Sequence, residues 1–132
     1  MNAGMQAARH THGDASAVLS KATARAAELL QLNNASLARV IGVSEPTISS
    51  VRAGQGIDPA TKEGQRAMLL VRVFRSLDPL VGGDEAKRVA WMHSHNKALQ
   101  GVPAKLLENP EGLVSTLAYL DGTHGPRFER ED

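Results

Sequence analysis

The chain has 132 residues, with 15 Lys and Arg against 14 Asp and Glu, and a net charge of +1. This length predicts one domain, or two small domains that share a core. The lack of cysteine excludes disulfide scaffolds, thiolate zinc sites and cysteine nucleophiles. The aromatic content of 3% argues against a base-stacking surface for single-stranded nucleic acid. No segment approaches the roughly 20 consecutive apolar residues of a membrane span, and we expect a cytoplasmic protein.

The N-terminal part of the chain changes from an aperiodic to a helical pattern. Residues 1–14 are small and polar, and we expect a disordered leader there. From Ala15 to Leu32 apolar residues recur at three- and four-residue steps, which predicts an α-helix. We expect Asn33-Asn34 to end this helix and Ser36 to cap the next one.

The later part of the chain contains repeated helix start and stop signals. Asp58-Pro59 predicts the start of a long apolar helix over 59–81, because Asp caps helices and Pro is tolerated at their first position. Further signals predict short helices that start or stop at Gly82-Gly83, Asp84, Pro103, Asn109-Pro110 and Gly122. No segment alternates with period two, so we predict an all-α fold. Its parts are expected at 15–57 and 58–122, followed by a polar tail at 123–132.

The stretch 37–52 has the residue spacing of a helix-turn-helix. Ala38 is small where two helices would touch, and Gly42 supplies the positive φ that the turn requires. Ser44 is placed to cap the second helix, whose inward face carries Ile48 and Val51. An α-hairpin with a glycine corner and no DNA-binding role is the alternative. We therefore predict an N-terminal helix-turn-helix bundle, joined by the long helix to a small helical domain.

In a helix-turn-helix, the N-terminal residues of the second helix reach the DNA bases. We predict base and phosphate contacts from Arg39, Ser44, Glu45, Thr47, Ser49, Ser50 and Arg52, with the arginines on phosphates. Residues 36–54 hold few basic groups, so one copy would bind DNA weakly. We therefore expect a homodimer with two recognition helices about 34 Å apart. The helix over 59–81 is the candidate interface, and a central position in the core is its alternative role.

The second half carries an ordered series of short motifs: Ala90-Trp91-Met92, His95-Asn96, Ala98-Leu99, Gly101, Pro103, Leu106-Leu107, Asn109-Pro110-Glu111-Gly112 and Leu120-Asp121-Gly122. This series resembles the toxin-binding domain of the Xre/MbcA/ParS antitoxin family. The helix-turn-helix before it is similar to the DNA-binding half of the same family, so the resemblance covers roughly residues 30–122. It implies an antitoxin that blocks a RES-domain, NAD-consuming toxin and represses their shared operon by binding operator DNA.

The resemblance also implies where the toxin is contacted. We expect Trp91, Asn96 and Leu99 to contribute to that surface, with a core anchor as the alternative role of Trp91. We further expect the polar tail to reach the NAD entrance of the toxin through Arg127, Glu129 and Arg130, with a solvated terminus as the alternative.

Other chemistry is weakly indicated. His93 and His95 do not share a helix face and lack further ligands at suitable spacing, so we predict no metal site. No set of nucleophile and base is assembled, and we predict neither an enzyme nor a cofactor. A helix-turn-helix transcriptional regulator without a toxin partner is the alternative function.

Overall fold

The computed structural model describes the backbone of residues 2–123 and the side chains of residues 14–123. Within this part of the chain the structure is helical and has no strand, which confirms the all-α prediction. The helices are α1 (Asn2–Leu29), α2 (Asn34–Ile41), α3 (Glu45–Arg52), α4 (Lys62–Leu80), α5 (Glu85–His93), α6 (Pro103–Leu106) and α7 (Pro110–Gly122). An isolated antiparallel bridge between Asn96 and Gly101 closes the turn that connects α5 to α6.

The first helix is longer than the sequence predicts. It begins at Asn2 instead of Ala15, so its backbone includes most of the 1–14 segment for which we expected a disordered leader. This segment contains several alanines and no proline. Because each residue added to an existing helix gains a hydrogen bond without a new nucleation cost, α1 extends towards the N-terminus.

Two predicted helix ends are also wrong. The N-cap of α2 is Asn33, whose side chain accepts a hydrogen bond from the Ser36 amide at 2.8 Å, so Ser36 lies inside the helix. Gly122 was expected just beyond α7, but it is the last helical residue and Thr123 is the C-cap. In both cases a neighbouring residue makes the capping hydrogen bonds.

The long helix starts later than predicted, at Lys62, and its N-cap is Thr61. Asp58 serves the turn before it. Its carboxylate accepts from the Ala60 amide at 2.9 Å, and its carbonyl accepts from the Thr61 hydroxyl at 2.8 Å. Gly64 lies against this carbonyl so closely that a Cβ there would overlap it. The turn at 58–61 therefore packs against the first turn of α4.

The central helix of the fold is α4, which packs against α1, α2 and α7. Its inward face is formed by Gly64, Ala67, Leu70, Val71, Val73 and Leu77. Two other apolar residues of α4, Met68 and Leu80, are 42% and 43% exposed. The helix is thus a core element, and Met68 and Leu80 are apolar residues left on its outer side.

A buried arginine joins the end of α1 to the second half of the chain. The Arg88 side chain of α5 donates from Nε to the Leu29 carbonyl at 3.1 Å and from Nη1 to Asp78 at 2.9 Å. Its guanidinium also lies 5.7 Å from the centre of the Phe74 ring. The last carbonyls of a helix lack intrahelical partners, and a cation near them is favourable. We call this set of contacts the Arg88 joint.

Candidate functional site

The geometry of α2, the turn and α3 confirms the predicted helix-turn-helix. Gly42 ends α2 with φ 81°, and its amide donates to the Ala38 carbonyl at 2.8 Å. A Cβ at Gly42 would also meet the guanidinium of Arg66. Ile48 and Val51 are buried, as the spacing predicts. The turn is therefore defined by backbone conformation and by packing on both sides.

The N-terminus of α3 shows which predicted residues are free to face a ligand. Ser44 is the N-cap, and its hydroxyl accepts from the Thr47 amide at 3.3 Å and lies 2.9 Å from the Thr47 hydroxyl. Both hydroxyls thus take part in the cap. Glu45, Ser49 and Ser50 are exposed and belong to the same helix. These three side chains are thus exposed to solvent, and no hydrogen bond of the cap involves them.

A group of basic side chains lies at the C-terminal end of α3. Arg52 is exposed, and its Nε donates to the Asn34 side chain at 2.6 Å. Lys21 and Arg25 of α1 line the same surface depression as Arg52. The sequence analysis missed these two residues, although their four-residue spacing places them on one side of a helix. Glu28 lines the depression as well and pairs with Arg25 at 3.2 Å, so α1 contributes two basic side chains and one acidic side chain to this surface.

The remaining predicted phosphate ligand, Arg39, is paired with the second half of the chain. Its Nε donates to one carboxylate oxygen of Glu108 at 2.7 Å, and its terminal nitrogen lies 3.4 Å from the other. The Ser36 hydroxyl donates to Glu108 at 2.8 Å. Hydrogen bonding to Arg39 holds the pKa of Glu108 below its usual range, and the same contact raises the pKa of Arg39. The side chain of Glu108 is 17% exposed and that of Arg39 is 55% exposed.

The three described residues of the predicted toxin surface lie in and just before the turn between α5 and α6. The side-chain oxygen of Asn96 accepts a hydrogen bond from the Leu99 backbone amide at 3.0 Å. The backbone amide of Asn96 donates to the Gly101 carbonyl at 2.8 Å. Trp91 and Leu99 are half-buried, and Trp91 packs against the core. Asn96 therefore holds the turn in shape, while Trp91 and Leu99 offer part of their surface.

The three remaining residues of the predicted set, Arg127, Glu129 and Arg130, lie outside the described part of the chain.

Helix α7 presents an apolar surface that the sequence analysis did not predict. Its apolar residues Leu113, Val114, Leu117 and Leu120 would be expected to share one buried stripe, but Val114 is 54% exposed. The buried face instead contains Thr116 together with Leu113, Leu117 and Leu120. Ala118, one turn after Val114, is exposed as well. The packing of α7 on α4 sets this rotation of the helix.

Neither a metal-binding cluster nor a membrane-spanning helix occurs within the described residues. In that part of the chain no three His, Asp or Glu side chains come together as a group that could hold a metal ion. The ring of His93 donates from Nε2 to the Leu30 carbonyl at 2.9 Å, since a carbonyl oxygen can only accept. None of the helices in the described residues combines the length and apolar character of a membrane span.

Comparison with protein families matches the two halves in order. Residues 10–72 match the antitoxin Xre-like helix-turn-helix domain. Residues 76–125 match the antitoxin Xre/MbcA/ParS C-terminal toxin-binding domain. The chain belongs to the Xre/MbcA/ParS antitoxin family. A comparison with curated protein sequences gave no significant match.

The architecture of this antitoxin places the change from one domain to the other inside α4, because the two matches end and begin at residues 72 and 76. Its domains are those of antitoxins and not of a known enzyme family. Several polar contacts tie the helix-turn-helix domain to the toxin-binding domain. They include the Arg88 joint, the ion pair of Arg39 with Glu108, the hydrogen bond of His93 to the Leu30 carbonyl and the ion pair of Arg72 with Asp121.

Proposed function

We propose that this antitoxin neutralises a RES-domain toxin and represses the operon that encodes both proteins, in the cytoplasm. The observation that supports the proposal is the presence of a helix-turn-helix domain and a toxin-binding domain in one chain. The match of the second domain to a toxin-binding family favours an antitoxin over a regulator whose second domain only dimerises or senses a ligand. The motif series of the second half, from Trp91 to Gly112, supports a toxin of the RES type through its resemblance to that branch of the family.

DNA binding is assigned to α3 and the basic side chains near it. Glu45, Ser49 and Ser50 are exposed and short enough to reach base edges, and a carboxylate can accept a hydrogen bond from the cytosine amino group. Arg52 and Lys21 contribute positive charge for phosphates. We expect each phosphate contact to contribute about 0.9 to the slope of log affinity against log salt concentration.

A homodimer supplies the second recognition helix. The outer side of α1 and α4 supports an interface there, because Val18 and Met68 are 67% and 42% exposed and line one groove. Met68→Glu should convert the dimer to a monomer in light scattering coupled to gel filtration. Leu80→Glu is the matched control, since Leu80 is equally exposed at 43% and does not line the groove. If Met68→Glu and Leu80→Glu both have the mass of a dimer, this interface is excluded.

Toxin binding is assigned to the turn between α5 and α6 and to α7. Trp91 and Leu99 are half-buried, and Val114 is the most exposed large apolar side chain of α7. A partly exposed Trp at the centre of an apolar surface is typical of binding hot spots. The tail beyond Thr123 is proposed to reach the NAD entrance of the toxin. A chain truncated after Thr123 that still inhibits the toxin fully would refute this role of the tail.

Two variants separate the two activities. Val114→Asp should lose copurification with a RES-domain protein encoded beside this antitoxin, while it retains binding to the promoter DNA of the operon. Lys21→Gln combined with Arg52→Gln should lose DNA binding and retain the toxin. If the wild-type chain binds the promoter DNA and no RES-domain protein, it is a transcriptional regulator and the antitoxin proposal fails.

A further inference from the structure

We propose that Glu108 of the toxin-binding domain restrains Arg39 of the helix-turn-helix domain, so that DNA phosphates must compete with this carboxylate for the arginine. The inference rests on the DNA binding proposed above. It adds a residue of the other domain that lowers DNA affinity. The two residues are 69 positions apart in the sequence, and Glu108 lies in the connection between α6 and α7.

The location of Arg39 places it beside the recognition helix. It belongs to the last turn of α2, just before the turn that leads into α3. The negative charge of Glu45, the first residue of α3, acts on the Arg39 guanidinium and contributes to raising its pKa. Arg39 is therefore close to the N-terminal end of the helix that is expected to contact bases, and its side chain is more than half exposed.

The pairing of Arg39 with Glu108 involves more than one hydrogen bond. Two nitrogens of Arg39 face two oxygens of one carboxylate, in a short charge-assisted hydrogen bond at 2.7 Å and a longer one at 3.4 Å. Glu108 is mostly buried, and Ser36 donates to it from the same helix as Arg39. The positive charge of Lys105 further favours ionised Glu108. A carboxylate held in this way is ionised at neutral pH and orients the guanidinium.

The pairing also changes what Arg39 can add to DNA binding. A cation contributes to DNA affinity by neutralising phosphate and releasing a counterion. Arg39 is already neutralised by Glu108, so in the paired state it adds little to this term. Because Glu108 lies within the matched toxin-binding domain, a toxin contact that moves the connection between α6 and α7 would alter DNA affinity through Arg39.

The test compares the full-length wild type with Glu108→Gln, Arg39→Gln and the double variant. The Gln at 108 keeps the size of the side chain and an acceptor for Ser36. The probes are a duplex of the promoter DNA of the operon and a duplex of equal length and unrelated sequence, titrated between 50 and 200 mM salt (about the range in which phosphate contacts dominate). Glu111→Gln is the matched control, because Glu111 is an exposed carboxylate in the first turn of α7, three residues from Glu108.

We expect Glu108→Gln to bind promoter DNA up to about tenfold more tightly at about 0.1 M salt, with a salt slope steeper by about 0.9. The gain should disappear in the Arg39→Gln background, and Glu111→Gln should match the wild type. Unchanged or weaker binding by Glu108→Gln overturns the inference, and so does an equal gain with and without Arg39. Failure of the wild type to bind either duplex contradicts the proposed DNA binding itself and removes the inference with it.

Discussion

Replacing Arg88 by methionine tests how strongly the two domains of this antitoxin are joined. The Arg88 side chain is 6% exposed and donates to the Leu29 carbonyl and to Asp78, at 3.1 and 2.9 Å. Methionine fills a similar space with an unbranched apolar side chain, so the main loss is that of the charged hydrogen bonds. The Leu29 carbonyl and Asp78 are then left without these partners.

The size of the expected loss in stability depends on how exposed the two acceptors of Arg88 are. Hydrogen bonds to charged groups contribute about 1.5–3 kcal/mol each, and breaking a fully buried ion pair costs about 3–5 kcal/mol. Asp78 is 35% exposed and regains part of its hydration, which lowers its share. We therefore expect Arg88→Met to reduce the free energy of unfolding by about 3 kcal/mol. For a chain of this size the melting temperature should fall by roughly 10 °C.

The assay is urea unfolding followed by circular dichroism, with Arg25→Met as the matched control. Arg25 also pairs with a carboxylate, but its side chain is 65% exposed, so its loss should cost at most about 0.5 kcal/mol. If Arg88→Met costs no more than Arg25→Met, the Arg88 joint does not stabilise the fold and the reasoning fails.

Three further predictions concern packing and charge. Thr116→Val should raise the free energy of unfolding by about 1 kcal/mol, because the buried Thr116 hydroxyl has no hydrogen-bond partner; a loss of stability would contradict this. Gly112→Ala should lower it by about 1–3 kcal/mol in the same assay, since the new Cβ would overlap the Leu106 carbonyl; an unchanged midpoint would show that α7 can shift freely. The lowered pKa of Glu108 means that its ion pair with Arg39 stabilises the fold above the ordinary Glu pKa of about 4.3 and is lost as pH falls through the lower folded value. The difference in free energy of unfolding between the wild type and Glu108→Gln should therefore be constant from roughly pH 6 to 8 and should decline in acid. A difference that persists in strong acid would refute this prediction.

The helix-turn-helix could be predicted because its determinants are local in sequence. The turn requires a positive φ at residue 42, which glycine adopts readily, and Ser44 caps the helix that begins one residue later. The same logic correctly gave Asp84 and Asn109 as N-caps. Each of these choices depends on residues within one helical turn, so spacing alone carries the information.

The features that escaped prediction depend on tertiary contacts. The choice of Thr61 over Asp58 as N-cap depends on the close packing of Gly64 against the Asp58 carbonyl. The exposure of Val114 depends on which side of α7 packs against α4, and Leu113 and Val114 are equally apolar in sequence. The ion pair of Arg39 with Glu108 joins residues 69 positions apart, and no local sequence pattern predicts such a contact.

We propose that the toxin-binding domain of this antitoxin blocks a RES-domain enzyme. The most direct measurement is the rate of NAD loss catalysed by the purified RES-domain protein encoded beside it, as full-length antitoxin is added. NAD loss should fall linearly to zero and stop falling at a fixed molar ratio, with Val114→Asp inhibiting far less than wild type. An undiminished rate in excess wild-type antitoxin would contradict the claim.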